Sequence, residues 1–145
     1  MPREENVEAL QRAMLRFKAR DLDGYFEMYT PSVIHHGFSS RIRPGLPGLR
    51  DHYNQLLKAF PDMRVDIADI IADGEKVAHR FTFHGTHKGE FLKVPASGKL
   101  VTAGGVHIQH FQAGKCIEVW QVLDTFGFLQ QIGALPRLRD ALSGQ

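Results

Sequence analysis

Apolar residues recur at helical spacing in the first part of the chain. This spacing predicts an amphipathic helix over about residues 4–20. Asp21 is a suitable N-cap for a second, shorter helix, which has to end before Pro31 because proline lacks the backbone donor that a helix needs. A third helix is expected from Leu49 to Phe60. The apolar positions of the first helix are Val7, Leu10, Met14 and Phe17.

From Met63 onward the apolar residues recur at every second position, which is the period of a strand with two different faces. Asp73-Gly74 predicts a tight turn, after which residues 77–83 form the returning strand of a hairpin. The side chains expected to share one face of the first strand are Met63, Val65, Ile67, Asp69 and Ile71.

Two longer strands are expected at about residues 100–112 and 115–124, joined at Ala113-Gly114. The pair Gly104-Gly105 lies inside the first of them, where glycine marks a bulge, a bend or a close approach of another group. The connection at residues 85–99 has the length and composition of loops that cover a pocket.

The order of elements is two helices, a short strand at residues 32–36, a third helix, an antiparallel meander and a last helix from near Thr125. This order predicts an α+β fold in which a curved antiparallel sheet wraps around the N-terminal helices. We expect one end of the core to stay open as an apolar pocket, because the aromatic rings of the helices cannot all stack flat. The whole chain, residues 1–145, is expected to form a single domain with a loose tail at about residues 137–145.

The charge of the chain is small and evenly mixed, with 18 basic and 16 acidic residues and a formal net charge of +2. This balance argues against nucleic acid or a membrane surface as a partner and favours a small neutral or mildly acidic ligand. No apolar run approaches the roughly 20 residues that a membrane span requires, so a cytoplasmic location is expected. The single cysteine, Cys116, lies in an apolar stretch and is expected to be buried and unreactive.

Several short segments stand out by their order and spacing. They are Phe60-Pro61-Asp62, Ala72 to Val77, Gly85 to Phe91, Pro95 to Lys99, Gly114 to Trp120, and Asp124 followed by Gln131-Ile132-Gly133. Together they resemble the SnoaL-like polyketide cyclases, also called ester cyclases, which have the cone-shaped NTF2-like fold. The resemblance runs from about Tyr29 to Pro136. It implies an α+β cone with a deep pocket, often a homodimer, and a cofactor-free intramolecular aldol condensation assisted by an Asp that matches Asp124.

Strand parity gives a separate reason to consider Asp124. If Ala113-Gly114 is a two-residue turn, His107 faces Trp120 and Ala103 faces Asp124, so that Asp124 shares one wall with His107. Apolar neighbours disfavour the charged carboxylate and raise its pKa toward the range that is useful for proton transfer. Asp124 also precedes the last helix, so capping that helix is an alternative explanation.

His107 is the second predicted catalytic residue. Its imidazole could donate a hydrogen bond to an enolate oxygen or orient the carboxylate, although a strand histidine satisfied by a neighbour is an equal alternative. The same parity places His110 on the opposite face, and a one-residue change in the turn would exchange the faces of the two histidines. The resemblance extends to ketosteroid isomerases, which keep an acidic donor at the position of His107 and a base near His36. Their tyrosine donor falls at Ala13 or Met14 here, which argues against that reaction.

Five further residues are predicted to bind substrate: His36, Trp120, Tyr53, Phe17 and Arg80. The choice of His36 over its neighbour follows the resemblance, because consecutive strand residues point to opposite faces. Phe17 and Tyr53 would belong to the apolar wall that the helices supply. Arg80 could bind a carboxylate or carbonyl, or could lie solvated on the outer face of the sheet.

Metals and cofactors are not expected. Of the eight histidines, the pairs His84 and His87, and His107 and His110, are each three residues apart, so their side chains point to opposite faces of a strand.

These observations predict a cofactor-independent enzyme of the polyketide-cyclase type. It would act on a hydrophobic, carbonyl-containing small molecule by aldol cyclisation or isomerisation, with Asp124 moving a proton and His107 supporting it. The alternative is a non-catalytic binding or dimerisation module with the same pocket. Epoxide hydrolysis is less favoured because it needs several polar groups around a water. A homodimer is expected because one apolar sheet face is left uncovered.

Overall fold

A computed structural model describes residues 2–39 and 41–135 of the chain. The tail predicted at about residues 137–145 lies outside the described residues. The helices are α1 (Pro2–Lys18), α2 (Leu22–Phe26), α3 (Gly45–Ala59) and α4 (Thr125–Gln131). The strands are β1 (Tyr29–His36), β2 (Arg64–Asp73), β3 (Lys76–Thr86), β4 (Leu100–Gln112) and β5 (Lys115–Leu123).

The strands form one curved sheet in the order β1-β5-β4-β3-β2, which does not close into a barrel. β1 runs parallel to β5, and the other neighbouring pairs are antiparallel. Helix α1 contacts β2 and β3, α3 contacts β1, and α4 contacts β4. The predicted α+β fold is therefore confirmed, and its helices cover the inner face of the sheet.

Local sequence explains where the helices begin and end. Glu4 and Glu5 lie in the first turn of α1, and Arg16 and Lys18 lie in its last turn, so that both ends complement the helix dipole. Asp21 caps α2 as predicted, because its carboxylate accepts a hydrogen bond from the backbone N–H of Gly24 at 3.0 Å.

The core is one cluster of apolar side chains between the helices and the sheet. Cys116 belongs to it with no exposed surface, as predicted, and burial raises the pKa of its thiol to about 12. The most deeply buried large side chains of the cluster include Leu10, Phe26, Leu49, Phe60, Val77, Phe111 and Val119.

A β-bulge in β5 corrects the predicted register of the last hairpin. Gln112 pairs with Lys115 and Phe111 with Cys116, but His110 then pairs with Glu118, so Ile117 is an extra residue. Beyond the bulge His107 pairs with Gln121 and not with Trp120. The one-residue shift moves every later side chain of β5 to the opposite face, which the parity of a regular strand could not reveal.

A second irregularity corrects the predicted face of β2. The register with β3 shifts between Ile67 and Asp69, so that Ala68 interrupts the alternation. Val65 and Ile67 pack against the core as predicted, whereas Ile71 is 70% exposed.

The two glycines of β4 have different surroundings. An added Cβ at Gly105 would lie 2.5 Å from Cζ of Phe81 and 2.9 Å from the carbonyl oxygen of Val122, whereas one at Gly104 would meet nothing within 4 Å. From the sequence, a bulge, a bend and a close approach were all possible for this pair. The structure shows a close approach at Gly105, and the pairing of β4 with β3 has no bulge there.

We expect Gly105→Val to lower the free energy of unfolding by about 1–3 kcal/mol, because the new side chain overpacks the contact with Phe81. Gly104→Val, the matched control on the open side, should leave stability within about 0.5 kcal/mol of the wild type. Urea unfolding of both variants measures the difference. Equal stabilities would contradict the close approach.

Candidate functional site

A cavity of about 430 Å³ opens between the inner face of the sheet and helices α1, α3 and α4. Its wall is mainly aromatic and aliphatic. Among the described residues that line it there is no Asp, Glu, Lys or Arg, so its polar groups are hydroxyls, amides and imidazoles. The residues that carry these groups are Tyr25, Ser39, His52, Tyr53, Gln55, His79, His107, Gln121 and Thr125.

His107 lies in this wall and is only 5% exposed. Its Nε2 lies 2.8 Å from Oε1 of Gln121. Because a carbonyl oxygen only accepts, Nε2 carries the proton and Nδ1 is left as the basic nitrogen. Burial lowers the pKa of His107 to about 4, although the hydrogen bond to Gln121 acts in the opposite direction. The imidazole is therefore neutral at neutral pH.

His79 is a second buried imidazole beside His107. The two ring centroids lie 4.9 Å apart, and His79 is 4% exposed. Within the described part of the chain, its buried Nδ1 has no hydrogen-bond partner. Burial, and to a smaller extent His107, lower the pKa of His79 to about 3. A neutral histidine with an unpartnered nitrogen is thus available in the cavity wall.

His52 of α3 completes a group of three neutral imidazoles. Burial lowers its pKa to about 4, with smaller contributions from His35 and His107. Its ring contacts Tyr53 on one side, with centroids 5.6 Å apart, and Phe38 on the other, at 5.4 Å. Over residues 2–39 and 41–135, no three His, Cys, Asp or Glu side chains are grouped so that they could hold a metal ion.

Three tyrosines, Tyr25, Tyr29 and Tyr53, form a hydroxyl cluster at the helical side of the cavity, which we call the tyrosine cluster. The hydroxyl of Tyr25 lies 3.3 Å from that of Tyr29 and 3.1 Å from that of Tyr53. Nε2 of the buried Gln109 donates to the Tyr29 hydroxyl at 3.4 Å. Burial raises the pKa of all three phenols well above the usual value, so they stay protonated.

Three of the predicted site residues line the cavity. Phe17 comes from α1, Tyr53 from α3 and His107 from β4. Their rings contribute to the aromatic wall: those of Phe17 and Tyr53 are 6.0 Å apart and meet edge to face, and that of His107 contacts Phe81 at 4.8 Å.

Asp124 lies outside the cavity wall. Its carboxylate is exposed and accepts a hydrogen bond from the backbone N–H of Gly127 at 3.0 Å, which caps α4. The bulge at Ile117 is the physical reason why Asp124 points away from the cavity. It turns Gln121 and Leu123 of β5 to the inner face, where Trp120, Val122 and Asp124 were predicted. The wall that was predicted to combine Trp120 and Asp124 with His107 does not form.

His36, Trp120 and Arg80 lie on the outer face of the sheet. The ring of His36 stacks on Trp120 with centroids 5.2 Å apart, and its Nε2 lies 2.7 Å from a carboxylate oxygen of Glu118. Arg80 is exposed and forms an ion pair with Asp69 at 2.6 Å, which matches the solvated alternative. None of these three residues is among those that line the cavity.

Sequence reasoning missed seven of the nine polar residues of the described cavity wall: Tyr25, Ser39, His52, Gln55, His79, Gln121 and Thr125. His79 alternates with the buried Val77 and Phe81, so its position on the apolar face of β3 was visible in the sequence. Tyr25 of α2 and His52 of α3 lie among the apolar positions of their helices, which is a similar indication that they face the core. Gln121 carried none, because its orientation depends on the bulge.

Comparison with known proteins identifies relatives of the chain. Residues 8–132 match the profile of the SnoaL-like polyketide cyclase family. AclR from Streptomyces galilaeus, a candidate hydroxylase, is 28% identical, with a TM-score of 0.82 over 92% of this chain and 99% of AclR. A candidate SnoaL-like polyketide cyclase from Jannaschia sp. CCS1 is 25% identical, with a TM-score of 0.80 over 92% of this chain and 95% of its own.

IdmH from Streptomyces antibioticus, a candidate polyketide cyclase, is 26% identical, with a TM-score of 0.73 over 88% of this chain and 98% of IdmH. These neighbours confirm the predicted NTF2-like fold. No curated protein sequence matches the chain significantly. None of the described helices is long and apolar enough to cross a membrane.

The buried histidines predict a pH-dependent stability. The pKa of His79 is lowered to about 3 in the folded chain, whereas an unfolded histidine titrates near pH 6.5. As the pH falls from 7 to 5 the unfolded chain binds the proton and the folded chain does not, so this group should lower the free energy of unfolding by about 2 kcal/mol. Urea unfolding at both pH values measures the loss. His79→Phe should reduce it by that amount, and an unchanged pH dependence in this variant would contradict the assignment.

Proposed function

Because the chain belongs to the SnoaL-like polyketide cyclase family, we propose that it is a cofactor-independent enzyme of the cyclase type. Its substrate is a hydrophobic small molecule that carries a carbonyl group. The observation that carries this proposal is the cavity of about 430 Å³, which combines an apolar wall with uncharged hydrogen-bonding groups. This volume falls within the range of about 300–1,000 Å³ that is typical of small-molecule sites.

The lining chemistry supports a neutral ligand. A buried carboxylate or phosphate would need a cationic partner, and a buried amine would need an anionic one. Neither kind of side chain is among the described residues that line the cavity. Carbonyl and hydroxyl oxygens, in contrast, can be satisfied by the hydroxyls, amides and imidazoles present. The ligand is therefore uncharged and oxygen-containing.

In the proposed mechanism His107 moves the proton. Nδ1 of its neutral imidazole takes a proton from the carbon next to a carbonyl, and the resulting enolate attacks a second carbonyl carbon. The electron pair of that carbonyl goes to its oxygen, which then takes the proton back from Nδ1. Gln121 accepts the Nε2–H bond throughout and keeps the basic nitrogen free. A pKa of about 4 favours an acidic carbon, such as one between two carbonyls.

Asp124 has a structural part in this proposal. Its exposed carboxylate holds the first turn of α4, and α4 supplies Phe128 and Leu129 to the cavity wall. A second candidate function, non-catalytic binding of a hydrophobic molecule, is favoured by the lack of a carboxylate among the described lining residues. The two candidates differ in whether the protein transfers a proton.

The test uses 2-tetralone, a hydrophobic ketone with acidic α-protons, and follows their exchange for deuterium in D₂O by NMR. We expect the protein to accelerate exchange beyond the same concentration of imidazole, with a rate that rises through about pH 4 and is flat near neutrality. His107→Gln should lower the rate by about 100-fold, and Asp124→Asn should retain it.

The outcomes separate the candidates. Binding of 2-tetralone without acceleration would support the non-catalytic module. A rate in Asp124→Asn as low as that in His107→Gln would assign the proton to the carboxylate instead. Thermal unfolding of both variants controls for loss of fold.

We further propose that the outer face of the sheet pairs with a second copy of the chain. On this face Trp120 lies beside Ile108 in the sheet, and Val122 lies beside Val106, while the helices cover the other face. A two-fold arrangement brings the same apolar patch of both copies together. The exposed apolar side chains of this face are Ile34, Ile71, Val106, Ile108 and Val122.

Sedimentation velocity tests this pairing. The wild type is expected to be a dimer, and Val122→Glu a monomer, because the variant places a charge in the patch. Leu15→Glu is the matched control: Leu15 is 70% exposed but lies on α1. A monomeric wild type, or equal effects of the two variants, would contradict the proposal.

A further inference from the structure

The tyrosine cluster has more hydroxyl protons than acceptors for them. Its three phenols carry three protons, but they make two hydroxyl–hydroxyl contacts, from Tyr25 to Tyr29 and from Tyr25 to Tyr53. Each contact uses one proton. One proton is therefore left without an acceptor within the cluster.

Gln109 determines at which end of the cluster that proton lies. Its amide is fully buried and donates from Nε2 to the Tyr29 hydroxyl at 3.4 Å and to Sδ of Met28 at 3.7 Å. In this orientation Oε1 is the one atom of the amide that has no hydrogen-bond partner among the described residues. The flipped amide would let Oε1 accept from Tyr29 but would leave two buried N–H donors without acceptors, which costs more. Tyr29 therefore accepts from Gln109 and passes its own proton toward Tyr25.

The unused proton then belongs to Tyr25 or to Tyr53. Tyr25 accepts the Tyr29 proton, so only the direction of its contact with Tyr53 is left open. If Tyr25 donates to Tyr53, the proton of Tyr53 has no acceptor. If Tyr53 donates to Tyr25, the proton of Tyr25 has none. Both of these residues line the cavity, whereas Tyr29 does not. Both are also nearly fully buried, at 4% and 8% exposure, so bulk water does not compete strongly for the proton.

We propose that Tyr25 and Tyr53 form the subsite that binds the carbonyl oxygen of the ligand, with one hydroxyl donating the hydrogen bond. This inference rests on the proposed function, since it assumes that a neutral carbonyl compound enters the cavity. Gln109 and Tyr29 orient the donor from outside the cavity.

The position of the subsite relative to His107 fits one ligand that reaches both. The ring of His52 contacts Tyr53, with centroids 5.6 Å apart, and also Phe38, which in turn contacts His107 at 5.8 Å. The cluster and the basic imidazole are therefore separated by two intervening rings along one wall. The substrate class is a neutral, extended hydrophobe with a carbonyl oxygen at the tyrosine cluster and its acidic carbon toward His107.

A pair of probes with the same shape tests the subsite. In 2-acetylnaphthalene the carbonyl oxygen is present, and in 2-isopropenylnaphthalene a CH₂ group replaces it. We expect the wild type to bind the ketone about fivefold to tenfold more tightly, the value of one neutral hydrogen bond. With a ¹³C=O label, infrared spectroscopy should show that the carbonyl stretching frequency of the bound ketone is lower than its frequency in an apolar solvent.

Phenylalanine variants of the cluster locate the donor. The double variant Tyr25→Phe/Tyr53→Phe should lose the ketone preference and bind the hydrocarbon more tightly, because a buried carbonyl without a donor keeps its desolvation cost. It should also restore the carbonyl frequency of an apolar solvent. The single variant that behaves in the same way identifies the hydroxyl with the unused proton. Cys116→Ala is the matched control, because it alters a fully buried side chain that does not line the cavity, and it should keep the preference. Affinity for the hydrocarbon probe and thermal unfolding control for the fold.

Each result is decisive. A ketone preference that survives in the double variant, or that is lost equally in Cys116→Ala, overturns the subsite. Equal binding of both probes to the wild type overturns the subsite while leaving the apolar cavity in place. Failure of the wild type to bind either probe contradicts the proposed function itself, and the subsite with it.

Discussion

One extra residue in β5 decides the composition of both faces of the sheet. The bulge at Ile117 turns Gln121 inward and Trp120 outward. Inside, this gives His107 an amide partner that fixes its proton on Nε2. Outside, it places an indole beside Ile108 in an exposed apolar patch. The polar character of the cavity and the apolar character of the outer face thus have the same backbone origin.

Desolvation keeps the titratable groups of the cavity uncharged. It lowers the pKa of the imidazoles and raises that of the phenols, so that each class is neutral at the same pH. The cavity consequently offers hydrogen bonds without fixed charges. Such a wall is suited to the proposed carbonyl chemistry, in which charge develops and disappears within one substrate, because no charged side chain among its described residues stabilises a permanently charged ligand.

Local patterns predicted most of the fold. Helix spacing, the Asp21 cap and the turn at Ala113-Gly114 are determined by neighbours in sequence, and the structure places them where the pattern did. The sequence around Asp124 fits both an N-cap of α4 and a residue of the cavity wall. Only the tertiary structure shows that it is the cap. The inward turn of Gln121 was not predictable, because strand parity propagates from a bulge that has no sequence signal of its own.

Cys116 gives the folded chain an internal chemical reporter. The thiol is fully covered, its Sγ donates to the carbonyl oxygen of Glu118 at 3.3 Å, and burial raises its pKa to about 12. A maleimide reacts with thiolate in contact with water, so alkylation has to wait for an opening of the core that exposes Cys116. Since the sequence has one cysteine, every labelled molecule records one such opening.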